Sequence, residues 1–186
     1  MRAIPVVLVL MALPTQTQAP VVPNDPWTEA DRATVRLAPE EFTEVPRSLQ
    51  RELRRRGCSI PQPYTNGGRQ NVISGEFTRI GQIDWAVLCS RERQSSILVF
   101  RAGDPQQAEE LAPRADANFL QRTDAIHIGF SRALAVASTD YIRQHARSGD
   151  ETRVITHAGI NDIFVDKASV VWYWDQRQWL QLSGAN

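Results

Sequence analysis

The chain has 186 residues, 42% hydrophobic and 23% charged, the balance of an ordinary globular protein and enough for one core. Its 21 Lys and Arg match its 21 Asp and Glu, so no general surface for nucleic acid or for an anionic membrane is indicated. No catalytic or cofactor signature stands out, so no cofactor is expected and an enzyme is not the leading expectation.

Residues 1–19 hold one basic residue, Arg2, then an apolar run from Ala3 to Pro14, then small and polar residues ending Thr17-Gln18-Ala19. That order fits a secretory signal peptide, although Pro20 is awkward beside a cleavage site and the run can also be read as a buried strand. The run is too short to span a bilayer, and no membrane span is expected once it is removed. Export would place the protein in the periplasm or outside the cell. Pro20, Pro23 and Pro26 then predict an extended tether over 20–36, followed by a single domain over 37–186.

A helix is predicted over 46–56, with Pro46 at its first position, Val45, Leu49 and Leu53 four apart along one stripe, and Gly57 as its stop. Arg47, Arg51, Arg54, Arg55 and Arg56 form its other face, relieved only by Glu52. That face suits an acidic partner, or is simply solvated. Cys58 follows the stop and Cys89 is the only other cysteine. In an oxidising compartment such a pair is most simply one disulfide; two buried thiols are the alternative if export fails.

The stretch from Asn71 to Arg101 reads as three consecutive strands. Period two puts Trp85, Val87 and Cys89 on one face and Ala86 and Leu88 on the other. Strands apolar on both sides are expected at the centre of a sheet, covered twice. The disulfide would pin the end of the helix onto the Trp85 face.

Within that stretch, Gly75-Glu76-Phe77, then Gly81, then Asp84-Trp85-Ala86-Val87 resembles one repeat of the FG-GAP or VCBS kind. The resemblance covers residues 75–87 and implies a calcium loop, which requires several converging oxygens. Thr78 and Ile80 stand where that pattern has acidic or amide ligands, leaving Glu76 and Asp84, and no tandem copies follow. A plain strand, loop and strand is the alternative, with Gly75 and Gly81 serving backbone geometry. The whole chain is also similar to short exported bacterial proteins of unknown function, through Gly57-Cys58-Ser59-Ile60-Pro61-Gln62, the Cys89 strand and the end from Gly159 to Trp179. That similarity implies no activity.

Asp104-Pro105 predicts a short helix through Leu111. Strands are predicted over 125–130 and 133–138, although the Ala-rich 132–137 stretch can equally begin a helix. A helix follows over 139–147, ended by Gly149. Further strands are expected over 152–156, 160–165, 169–174 and 178–182, the last two as a hairpin around Asp175-Gln176-Arg177. The expected class is α+β, mainly an antiparallel β-sheet with two or three short helices packed on it.

Two further clusters carry chemistry. His157 with Asp162 and Asp166 can supply a general base oriented by a carboxylate, hence a hydrolase, although no nucleophile elbow accompanies it and a structural His is the plain alternative. Trp172, Trp174 and Trp179 can form a platform for a sugar ring or a partner's apolar patch, or can simply pack the sheet. The leading expectation is a non-enzymatic extracytoplasmic module that binds an unidentified protein or glycan through the aromatic hairpin or through Arg51, Arg54 and Arg55. A hydrolase and a calcium-stabilised domain are its alternatives.

Overall fold

The structure, a computed structural model, describes residues 25–65, 67–146 and 155–183. The predicted signal peptide, the first residues of the tether, Gly149 and most of the 152–156 strand lie outside them.

Helix α1 (Pro26–Ala33) occupies a stretch expected to be extended. Asp25 explains the difference: its carboxylate accepts from the Thr28 N–H at 3.1 Å, and Pro26 at the first position has no N–H to leave orphaned. Strand β1 (Arg36–Leu37) follows, then α2 (Arg47–Arg55), which buries Leu49 and Leu53 completely. Each is worth about 1.5–3 kcal/mol on transfer from water. Strand β2 (Ile60–Pro61) pairs with β1.

Next comes an antiparallel meander of β3 (Val72–Gly75), β4 (Asp84–Arg91), β5 (Gln94–Phe100) and β6 (Ala108–Ala115). The small ladder of β7 (Leu120–Arg122) and β8 (Ile128–Phe130) leads to β9 (Arg132–Ala137) and α3 (Thr139–His145). A second antiparallel meander is then completed by β10 (Gly159–Phe164), β11 (Ala168–Asp175) and β12 (Gln178–Ser183), in the order β12-β11-β10-β9. The predicted hairpin turn is present, with Gln176 and Arg177 both at positive φ, the backbone of a tight two-residue connection.

The alternating faces stack these parts in four layers. Val87, Cys89, Leu98 and Phe100 meet Leu49 and Leu53 of α2. On the opposite face of the same sheet, Ala86, Leu88, Ile97, Val99 and Leu111 meet Leu134, Ile160, Trp172 and Trp179 of the second sheet. The far side of the second sheet, with Ala137 and Val171, is covered by Ile142 of α3 and by Ile155. The α+β, mainly antiparallel architecture is therefore the one the patterning predicts, and β4 and β5 are covered on both faces. Gly159 permits the α3 layer to close: a Cβ there would lie 2.6 Å from the Trp172 carbonyl oxygen and 2.9 Å from Ile142 Cδ1.

The helix expected from Pro105 to Leu111 is absent. Asp104 caps a turn instead, accepting from the Gln106 N–H at 2.9 Å, and the chain then pairs with β5 from Phe100↔Ala108 to Gln94↔Ala115. Ala108, Glu109, Glu110 and Leu111 all favour helix locally, but β5 offers a row of backbone groups that must be paired, and that ladder overrides propensity. The predicted 125–130 strand contracts to β8, whose partner β7 was not foreseen.

Cys58 and Cys89 form a disulfide with a Cα–Cα distance of 5.0 Å, joining the end of α2 to the central strand β4. Asn71 ties further segments together: its side chain donates to the Pro61 and Arg132 carbonyls and accepts from the Leu134 N–H.

Candidate functional site

Strand alternation places Trp172 and Trp174 on the inner face of the second sheet, with Tyr173 on the other. The three candidate tryptophans then divide. Trp174 and Trp179 sit edge to face with centroids 5.4 Å apart, and the Trp179 indole N–H donates to Glu109 Oε2 at 2.5 Å. Arg101 lies 5.0 Å from the Trp174 ring centroid and pairs with Glu109 at 2.6 Å. These two rings are thereby engaged with the first sheet rather than standing as an open platform.

Trp172 instead lines a groove of about 580 Å³ where β11 and β12 approach the end of β6. Pro113, Arg114 and Phe119 form one side; Asp162, Phe164, Val170, Trp172 and Gln181 form the other. The Trp172 indole N–H is buried and meets no acceptor among the described residues, a cost of about 1–3 kcal/mol. Phe119 is held by edge contact with Phe164 at 5.7 Å and by a tilted contact with Phe130 at 6.2 Å.

The floor of the groove is an ion pair. Asp162 on β10 accepts from Arg132 Nε and Nη2, both at 2.8 Å, in a bidentate fork. Arg132, fully buried, also donates to the Ser95 carbonyl and hydroxyl and to the Ala112 carbonyl, so every guanidinium N–H is taken up. Its guanidinium carbon lies 4.5 Å from the Phe119 ring centroid. A β-bulge between Ser95 and Ile97 and the positive φ of Ala112 turn those two carbonyls toward it. The Asp162 side chain keeps 10% of its surface exposed toward the groove.

The histidine cluster has its polar contacts elsewhere. His157 is buried with Nδ1 3.1 Å from the Ala158 carbonyl oxygen, Asp162 belongs to Arg132, and Asp166 accepts from the Tyr64 hydroxyl at 2.5 Å. That last bond, with burial, pushes the Tyr64 hydroxyl pKa up. The exposed His127 pairs with Asp124 at 2.6 Å and holds that carboxyl at about 2.

On the arginine helix, Arg54 pairs with Glu40 at 3.3 Å, and both Arg55 and Arg56 pair with Glu52 at 2.7 Å. Much of that face is internally compensated; Arg51 is exposed. In the FG-GAP-like stretch, Asp84 is fully buried and Glu76 half-buried. No group of three or more His, Cys, Asp or Glu among the described residues is placed to hold a metal ion.

A larger hollow of about 680 Å³ beside the disulfide is lined by Arg56, Arg91, Glu92 and Glu110. Its arginines are already paired, Arg91 with Glu110 at 3.2 Å and Arg56 with Glu52, and it presents no aromatic wall among the described residues. The groove at Trp172 is the better candidate because apolar walls and a few convergent polar groups are the usual make-up of a small-molecule site.

The residues singled out from the sequence include Trp172 and Asp162 but not Arg132, Phe119 or Pro113. An arginine opening an apolar strand, in the run Arg132-Ala133-Leu134-Ala135-Val136, is the one signal that marks a buried cation in need of a carboxylate. Comparisons with protein-family models, curated proteins and solved structures return no match.

Proposed function

We propose that this chain is an exported, non-enzymatic binding module that takes a small ligand in the groove at Trp172. The groove carries the reading: aromatic and aliphatic walls around an ion-paired carboxylate, with the Gln181 amide and the Arg114 guanidinium at its rim. The disulfide supports an oxidising compartment, as a secretory leader over 1–19 would provide. Among the described residues no helix is long and apolar enough to cross a membrane.

Nuclear magnetic resonance tests this directly, because the protein contains only five tryptophans and each indole N–H can be assigned by single Trp→Phe replacement. A mixed library of small polar-aromatic fragments and sugars should yield binders that shift the Trp172 indole and the Gln181 side-chain amide while leaving Trp27 and Trp85 in place. Trp172→Ala should weaken binding about tenfold or more, read on the Gln181 side-chain amide. Binders that map consistently to another surface, or none from the whole library, would refute the proposal.

A further inference from the structure

Resting on that binding reading, we infer that the ligand is a neutral saccharide, with one pyranose face laid against Trp172 and ring hydroxyls donated to Asp162. Charge makes the selection. Both Asp162 oxygens face Arg132 at 2.8 Å, so the floor is an ion pair with little net charge, yet each oxygen retains a lone pair and the side chain is 10% exposed. A cationic ligand gains little from a carboxylate already compensated and meets Arg114 at the rim. An anionic ligand finds no free donor on the floor, since every Arg132 N–H is already taken up, and is left with the exposed Arg114 alone.

A wholly apolar ligand fails for a different reason, since it strips water from the open lone pairs of Asp162 without replacing the lost hydrogen bonds. What fits is a neutral molecule with hydroxyl donors on its edge and an apolar C–H face. Gln181 adds one amide carbonyl and one NH₂, a matched acceptor and donor for neighbouring hydroxyls. The indole N–H of Trp172, buried without an acceptor among the described residues, gains one if the ring turns toward a sugar oxygen. The volume of about 580 Å³ lies within the range of about 300–1,000 Å³ usual for small-molecule sites.

The test is a titration of the full chain with cellotriose, maltotriose and N,N′,N″-triacetylchitotriose, set beside glucosamine and glucuronate as charged controls, read by tryptophan fluorescence and by the Trp172 indole resonance. At least one neutral trisaccharide should give saturable shifts. Trp172→Ala should weaken it about tenfold or more, as expected for loss of a stacking aromatic, and Gln181→Ala by a smaller factor. Both variants should keep the wild-type far-ultraviolet circular dichroism and a cooperative urea transition. Asp162 is left intact because its removal strands Arg132. If the charged sugars bind as tightly as the neutral ones, or if only non-sugar fragments move the Trp172 resonance, the saccharide inference fails while the binding reading survives. If neither sugars nor fragments move it, both fail.

Discussion

At the scale of single residues, Asp84 shows how one buried carboxylate shapes a loop. It lies at the start of β4 and accepts five hydrogen bonds: from the Phe77 and Thr78 N–H groups, the Thr78 hydroxyl, the Gln82 amide and the Ala102 N–H. An ionised carboxylate offers about four lone-pair positions, so these donors saturate it. The Gly75-Glu76-Phe77 loop thus closes on its own strand, and a calcium ion would have to displace protein donors to reach Asp84. The melting temperature should accordingly shift by less than about 1 °C between excess calcium and chelator, because only a ligand that binds the native state raises apparent stability. A clear rise with calcium would contradict this account. Asp84→Ala should lower unfolding free energy by about 3 kcal/mol or more in urea titration, each stranded buried donor costing about 1–3 kcal/mol.

At the scale of elements, α2 and its staple were legible because their causes are local. Pro46, the Val45, Leu49 and Leu53 stripe and the Gly57 stop act within one helix, and the alternation through Trp85, Val87 and Cys89 acts within one strand. Strand β6 was not legible, because Asp104-Pro105 and the Ala-Glu-Glu-Leu run are equally good helix signals until β5 lies alongside. The chain-entropy contribution of the disulfide, with 31 residues of separation, is about 3–4 kcal/mol. Electrostatics adds less at this helix. Hydrogen bonds from Arg55 and Arg56 hold the Glu52 carboxyl at about 2, below its ordinary value of 4.5. A carboxyl whose folded pKa is depressed stabilises the fold above its unfolded pKa, and that contribution is lost as pH falls from about 4.5 toward 2. Arg55 is 71% exposed, so solvent screens the pair and only a small part of that shift reaches stability. Glu52→Gln should therefore be slightly less stable than wild type at pH 7, and the two urea curves should converge as pH falls toward 2. Curves that stay apart there would assign the difference to something other than ionisation.

At the scale of the whole molecule, the two four-stranded sheets are held in register by more than apolar contact. Arg132 opens β9 in the second sheet, yet it bonds Ser95 of β5 and the Ala112 carbonyl of β6 in the first, while Asp162 grips it from β10. Its partners are 37, 20 and 30 residues away, which is why patterning along the chain could not expose the floor of the groove. Trp172 and Asp162 could be named from sequence, but what they face could not. The same arrangement makes Arg132 a sensitive point. Arg132→Met preserves much of the volume but leaves the Asp162 carboxylate nearly buried without its counter-ion and removes both donors to the facing sheet. Breaking one side of a buried pair costs about 3–5 kcal/mol, whereas replacing both sides by packed apolar residues is often close to neutral. Arg132→Met should therefore lose about 3–5 kcal/mol in urea denaturation, and adding Asp162→Leu should recover most of it. If the double variant is as unstable as the single one, the stranded carboxylate is not the cause, and the lost bonds to Ser95 and Ala112 carry the joint between the sheets.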